Sequence, residues 1–394
     1  MTPAARVQAA IELLDAIIDA AKREGAPADR LISDWARGNR YAGSKDRRAV
    51  RELVYAAIRA CGPVPENGRA AVLRLAEGDT ALRACFDGSN YGPTPIGESD
   101  EPAQGGIAPD WLMERLAASG ISAGEAAALM DRAPLDIRVN TLKADRAGLD
   151  LPEAGEWLAA PQALRFDGGT QVEQWAQYKD GQIEVQDHGS QIVCLACAAK
   201  PGETVIDLCA GAGGKTLALA AAMQNQGRLL ACDIDRGRLS RLAPRAGRAG
   251  AGMIETLLLD PGHELDRLAE FHAGADLVLI DAPCSGTGTW RRKPEAKWRL
   301  TPERLQRFME TQDRLLEIAA RLVRPGGRIG FVTCSLLDAE GKDRISVFLD
   351  RHKDFKPLEL TMPHGGRQHG EGARLTPYQD GTDGFFVALL GLAC

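Results

Sequence analysis

Residues 204–220 read Thr204-Val205-Ile206-Asp207-Leu208-Cys209-Ala210-Gly211-Ala212-Gly213-Gly214-Lys215-Thr216-Leu217-Ala218-Leu219-Ala220. The apolar, β-branched run Val205–Leu208 predicts a buried strand. The glycines that follow allow a tight turn and a close approach to a ligand, because no Cβ stands in the way. After Thr216 the chain is leucine and alanine, so a helix begins there. Strand, glycine turn and helix N-terminus is how doubly wound α/β folds hold nucleotide-like ligands. A P-loop needs a glycine where Cys209 stands, which disfavours an NTPase. A dinucleotide fingerprint needs a third glycine where Thr216 stands. The spacing Gly211-x-Gly213-Gly214, four residues beyond Asp207, suits an S-adenosylmethionine loop better. On its own the turn leaves a phosphate loop and a purely structural role open.

The downstream pattern narrows these readings. The runs Leu229–Cys232, Thr256–Leu259 and Leu277–Ile280 each end on an aspartate: Asp233, Asp260 and Asp281. Solubility alone does not put three carboxylates at the same end of three strands; a ligand-binding sheet edge does. Asp233, about twenty residues past the glycine turn, is placed for ribose hydroxyls. Two cysteines follow strand ends on that same edge. Cys284 lies in Asp281-Ala282-Pro283-Cys284-Ser285-Gly286-Thr287-Gly288, and Cys334 in Thr333-Cys334-Ser335 after the strand Ile329–Val332.

These motifs, with Cys209–Thr216, Arg291-Arg292-Lys293-Pro294-Glu295 and Gln186-Asp187-x-Gly189-Ser190-Gln191, resemble the Sun-family RNA (cytosine-5) methyltransferases over roughly residues 110–390. The resemblance implies a Rossmann-like catalytic domain that takes S-adenosylmethionine. It would be held by Cys209, Ala210, Gly211, Ala212, Gly213, Gly214, Lys215, Asp233, Asp260 and Asp281. It further implies Cys334 as the nucleophile on cytosine carbon 6, Cys284 as the cysteine that aids product release, and Asp281 as a contact to the base. DNA cytosine-5 methyltransferases use the Pro-Cys cysteine as nucleophile, so exchanged roles stay open. Two departures stand out. Gly211-Ala212 replaces the family's Ala-Pro, and Glu340-Gly341-Lys342 stands where Glu-Asn-Glu is usual.

Upstream, Val7, Ile11, Leu14, Ile18 and Ala21 form a helical stripe, and Asp46–Arg59 a second helix. Residues 1–85 therefore read as a helical domain. Its Asn39–Arg48 and Glu52–Tyr55 resemble the NusB-like RNA-binding domain of RsmB-type members, which implies small-subunit ribosomal RNA as substrate. Residues 86–108, rich in Gly, Pro, Ser and acidic residues, read as a linker. Residues 109–185 read as a small α+β subdomain and 186–394 as the catalytic α/β domain.

The net charge of −6 does not advertise nucleic acid, but local basic clusters do. Arg40 and Lys45 mark one such cluster. Arg291, Arg292 and Lys297, between Trp290 and Trp298, mark another, read as stacking and phosphate contacts. The arginines of 236–248 read as a solvated helix face. No apolar run approaches a membrane span and no signal-peptide core is present. Nine cysteines in a long chain point to a reducing cytoplasm. Cys194-x-x-Cys197 lacks further metal ligands nearby and reads as core packing; no metal site is expected, and the chain reads as a monomer. The rival from another class is a non-catalytic ribosomal-RNA assembly factor that retains S-adenosylmethionine.

Overall fold

A computed structural model describes residues 1–394. Two compact units form: residues 1–131 with 289–301, and residues 132–288 with 302–394.

The first unit is helical. Thr2 caps the helix Pro3–Lys22 by accepting from Ala5 N at 3.1 Å, with proline in the first turn where its missing N–H is harmless. The predicted stripe Val7, Ile11, Leu14, Ile18 and Ala21 is buried, widened by Ala10, Leu13 and Ile17. It packs with residues of the helices Ser44–Ala60 and Gly68–Ala76. Two boundaries differ from the sequence expectation. The helices Asp110–Ala118 and Ala123–Ala128 group with this unit rather than with the small subdomain. Residues 86–108 do not hang as a linker. Ala103 N donates to Ala70 O at 3.0 Å, Gly62 N to Gln104 O at 3.1 Å, and Arg69 pairs with Asp100 at 2.7 Å. Low apolar content hid this, because the segment is held by polar bonds and by a few unevenly spaced apolar contacts of Phe86, Ile96 and Ala103.

The second unit holds two sheets. A small antiparallel sheet contains β1 (Leu135–Val139), β2 (Glu156–Trp157), β3 (Ala163–Phe166) and β4 (Ile183–Val185), in the order β2-β3-β1-β4. Strand β1 stops at Asn140, whose side chain donates to Gly181 O and Ala249 O. The large sheet contains β5 (Thr204–Asp207), β6 (Arg228–Asp233), β7 (Ile254–Leu258), β8 (Ala275–Asp281), β9 (Val323–Thr333), β10 (Phe355–Pro357), β11 (Arg367–His369), β12 (Gly372–Leu375) and β13 (Phe385–Leu392). Its order is β11-β12-β13-β9-β8-β5-β6-β7, with β10 paired to β13. Strands β5 to β9 run parallel; β13 runs antiparallel to β9. β5 and β8 are neighbours, yet the chain leaves β5 toward β6 and returns to β8 on the other side. That reversal opens a crevice at their carboxyl ends, where such sheets bind ligands. β9 starts earlier than expected: Ala275 faces Val323 while Leu277 faces Arg328, so the Arg324–Gly327 turn bulges within it.

Candidate active site

Asp207, Asp233, Asp260, Asp281, Cys284 and Cys334 all lie at or just beyond the carboxyl ends of parallel strands of the large sheet. The loop after β5 turns through Gly213 at φ 86°, and the helix Gly214–Ala222 starts from it. A side chain there would be strained, and its Cβ would lie 2.0 Å from Leu242 Cδ1. Asp233, buried at the end of β6, accepts from Gly211 N at 2.8 Å and from Asp235 N at 2.7 Å, which binds the glycine loop to its neighbour. Beside it Ile234 stands 58% exposed, an apolar surface next to a carboxylate. This donor set fits an adenosine: a carboxylate for ribose, an apolar face for the flat ring and a glycine loop for close approach. Asp260 is exposed just beyond β7, at the same edge. Asp207 is fully buried, and burial pushes its carboxyl up to about 7 while Thr216 Oγ1 donates to it at 2.7 Å.

Across the crevice, Lys215 Nζ meets Asp281 Oδ2 at 2.7 Å. Burial works against the Lys215 charge. Asp281, Cys194 and Cys334 outweigh it, and the ammonium's pKa is raised. A positive charge therefore stands within electrostatic reach of a Cys334 thiolate, as a nucleophilic thiol requires. The sequence named Lys215 and Asp281 separately as cofactor contacts; that they pair was not foreseen. The pairing follows from β5 and β8 being neighbours in the sheet, which strand order alone reveals.

The two cysteines come together: Cys284 Sγ and Cys334 Sγ are 3.4 Å apart. Contact with Cys334, then burial, holds the Cys284 thiol well above its usual pKa, and the Glu340 charge adds to this. Cys284 is thus kept as a thiol. Behind the sulfurs lies a buried polar cluster that the sequence reading missed. Glu340, fully buried, accepts from Ser285 N at 2.8 Å, Ser335 Oγ at 2.6 Å, Ser285 Oγ and Gln312 Nε2 at 3.2 Å. The next residue is glycine for a steric reason: a Cβ on Gly341 would lie 2.9 Å from the Phe386 ring. An asparagine at this position has no room.

Gln186–Gln191 is structural. His188 N donates to Asp136 Oδ2 at 3.0 Å, and Gln191 Nε2 to Ile137 O at 3.0 Å, tying the helix His188–Ala196 to the small sheet. Cys194 and Cys197 end that helix, both buried.

The basic segment after Cys284 requires a correction. Trp290, Trp298, Arg291 and Lys297 are buried, and Arg292 is half-buried. Trp298 packs into the core of the helical unit. Glu295 accepts from Ala28 N at 3.3 Å, Arg299 donates to Gly25 O, and Arg59 donates to Arg291 O. Arg291 and Lys297 thus serve the fold of that unit, and the tryptophans have no open face for a base. Arg40 and Lys45 are exposed.

With this geometry in place, comparison with known proteins decides the family. The pattern of the family described as 16S rRNA methyltransferase RsmB/F matches residues 194–391. The chain belongs to this family. A probable ribosomal RNA small subunit methyltransferase B of Synechocystis is 36% identical over 299 residues, 72% of this chain and 66% of that relative. The chain therefore spans less than two thirds of that relative's length. The solved structure of PH0851 is 26% identical, with TM-score 0.74 over 99% of both chains. A methyltransferase homolog protein from Pyrococcus horikoshii is 26% identical, with TM-score 0.59 over 72% of this chain and 99% of its own. The fold is that of an S-adenosylmethionine-dependent methyltransferase, as the strand–glycine loop–helix reading expected.

Proposed function

We propose that this RsmB/F-family chain methylates carbon 5 of a cytosine in small-subunit ribosomal RNA, through a covalent cysteine–cytosine intermediate. The observation that carries the reading is the pair of thiols 3.4 Å apart beside the Lys215–Asp281 ion pair, at the edge that also bears the glycine loop.

Bound S-adenosylmethionine supplies an electrophilic methyl group. Gly211–Lys215 and Asp233 would hold it, with the exposed apolar side chain of Ile234 available to its ring. Carbon 5 of cytosine is a weak nucleophile. The Cys334 thiolate, with the Lys215 ammonium nearby, adds to carbon 6 and makes carbon 5 electron-rich; this divides one hard step into easier ones. Asp281 receives the amino edge of the base. After methylation a base must take the carbon 5 proton so that the bond between carbon 6 and the Cys334 sulfur breaks and its electron pair returns to that sulfur; Cys284, beside Cys334, aids this release. The helical unit, by its resemblance to NusB-like domains, offers Arg40 and Lys45 to the RNA backbone. One copy of the chain carries the whole site, and the cytoplasm, where ribosomal RNA is, is its place of action.

The test is methyl transfer from labelled S-adenosylmethionine to unmodified small-subunit ribosomal RNA, with wild type beside Cys334→Ala and Cys284→Ala. Loss of transfer in Cys334→Ala, with a trapped RNA adduct in Cys284→Ala, fits the assigned roles. The opposite pattern exchanges them. No transfer by wild type to any RNA leaves the assembly-factor reading.

A further inference from the structure

We propose that Glu340 is a positioning residue for the two thiols: its buried carboxylate clips the loop after β8 to the loop after β9 and so sets the Cys284–Cys334 separation. The catalytic meaning of that separation rests on the cysteine chemistry proposed above; the clip itself is independent of it.

The clip grips the residues that flank each sulfur. Ser285 and Ser335 directly follow the two cysteines, and both hydroxyls donate to Glu340 Oε2. Oε1 accepts from Ser285 N at 2.8 Å and from Gln312 Nε2 at 3.2 Å. Gln312 Nε2 also donates to Pro283 O at 2.9 Å, so the residues before and after Cys284 are both tied. Further bonds couple the loops: Gly288 N to Cys334 O at 3.0 Å and Leu336 N to Thr287 Oγ1 at 2.8 Å.

Proton counting shows why a carboxylate is needed. Each serine hydroxyl has one proton, and both go to Oε2. Ser335 Oγ already accepts from Leu337 N at 3.1 Å, and Thr287 Oγ1 lies 3.2 Å away. Gln312 is oriented by two acceptors. Four donors thus converge on a group that only accepts when ionised. An amide in its place turns its NH2 on Ser285 N–H and Gln312, or on the two hydroxyls, and loses at least one of the four bonds. Burial raises the Glu340 pKa, so the fold bears a penalty here that apolar packing would avoid. Holding two loops in one register is what the charge achieves in return.

The experiment uses the full chain as wild type, Glu340→Gln and Ser285→Ala. The sulfur separation is read without catalysis, by equilibrating with oxidised and reduced glutathione and mapping the Cys284–Cys334 disulfide by peptide mass. In that exchange each thiol gives up its hydrogen, one S–S bond forms between them, and oxidised glutathione is reduced to two thiols. Methyl-transfer kcat and KM on small-subunit ribosomal RNA are measured alongside, with S-adenosylmethionine binding as the check on folding. In Glu340→Gln, disulfide formation is expected to fall about tenfold, the scale of one charged hydrogen bond. Its kcat is expected to fall about 10²-fold, as for an ångström-scale misplacement, with KM and cofactor binding held. Ser285→Ala keeps the backbone bond and falls less in both; it carries the test if Glu340→Gln does not fold. An unchanged disulfide equilibrium overturns the proposal, and so does a loss of kcat that tracks lost cofactor binding. If the disulfide weakens as expected but no form methylates cytosine, the clip stands and the reaction assignment falls.

Discussion

Residues 281–288 and 289–300 are consecutive in the chain, and both carry conspicuous chemistry. They meet opposite fates. The first ends β8 and places Cys284 against Cys334 at the open sheet edge. The second enters the helical unit, where Trp298, Arg291 and Lys297 are buried. A motif attached to a strand end inherits a direction from the sheet, because parallel strands present their carboxyl ends to one crevice. A mixture of tryptophan and cationic residues has no such direction. It describes an RNA groove and an anchoring segment equally well.

The widest separation between the two segments is expected from Cys334→Ala. Methyl transfer should fall at least about 10⁴-fold, the scale of losing a catalytic nucleophile. The sulfur supports little of the core, so the thermal midpoint should barely move. Measuring labelled methyl transfer beside a melting curve checks both halves. A variant that melts early would erase the contrast.

The reverse is expected for Trp298→Ala. Emptying a buried indole from the helical core should destabilise by about 3–5 kcal/mol, read by denaturant unfolding. S-adenosylmethionine should still bind to whatever fraction stays folded, since the glycine loop belongs to the other unit. Lys297 sharpens the point through pH. Burial lowers its ammonium to about 8, against 10.5 when unfolded. Below pH 8 the folded chain carries a buried charge, and its stability there is at its lowest. Between pH 8 and 10.5 the unfolded chain holds a proton that the folded chain has released, so stability rises with pH. Lys297→Met should abolish that rise and stabilise the protein near neutrality by up to about 3 kcal/mol. A phosphate-binding lysine would show neither effect; its loss would weaken RNA binding instead.

What could be read from the sequence follows the same division. The parallel strands β5 to β9 were legible because each holds a short apolar run closed by aspartate or cysteine, whereas the short strands β10, β11 and β12 have no such run and were not foreseen. Asp233, Asp281, Cys284 and Cys334 therefore fall on one edge from the sequence pattern alone. The Lys215–Asp281 pair and the Glu340 cluster were not legible. Both depend on strand order and side-chain direction, and a buried glutamate looks like a surface one when only its neighbours in sequence are known. Ser285 and Ser335 were quoted as motif residues without a role, since their role lies across 50 residues of chain. The 86–108 segment misled for a related reason. Its order comes from backbone bonds, the Arg69–Asp100 pair and scattered contacts of Phe86, Ile96 and Ala103 with the helical core, which leave no hydrophobic period.

The smallest expected effect belongs to the exposed basic cluster of the helical unit, which differs from Arg291 and Lys297 in one respect: Arg40 and Lys45 are in water. A solvated cation that meets a phosphate acts by releasing a counterion, so its contribution depends on salt and not on base sequence. Arg40→Ala with Lys45→Ala should leave the melting curve unchanged. It should weaken binding of a small-subunit ribosomal RNA fragment several-fold at low salt and lower the slope of log affinity against log salt by about 2, roughly one per lost contact. Lys297→Met should leave that slope where it is. Measured by fluorescence anisotropy over a salt series, a slope lowered by the buried lysine and not by the exposed pair would reverse the comparison, returning the RNA surface to the segment after Cys284.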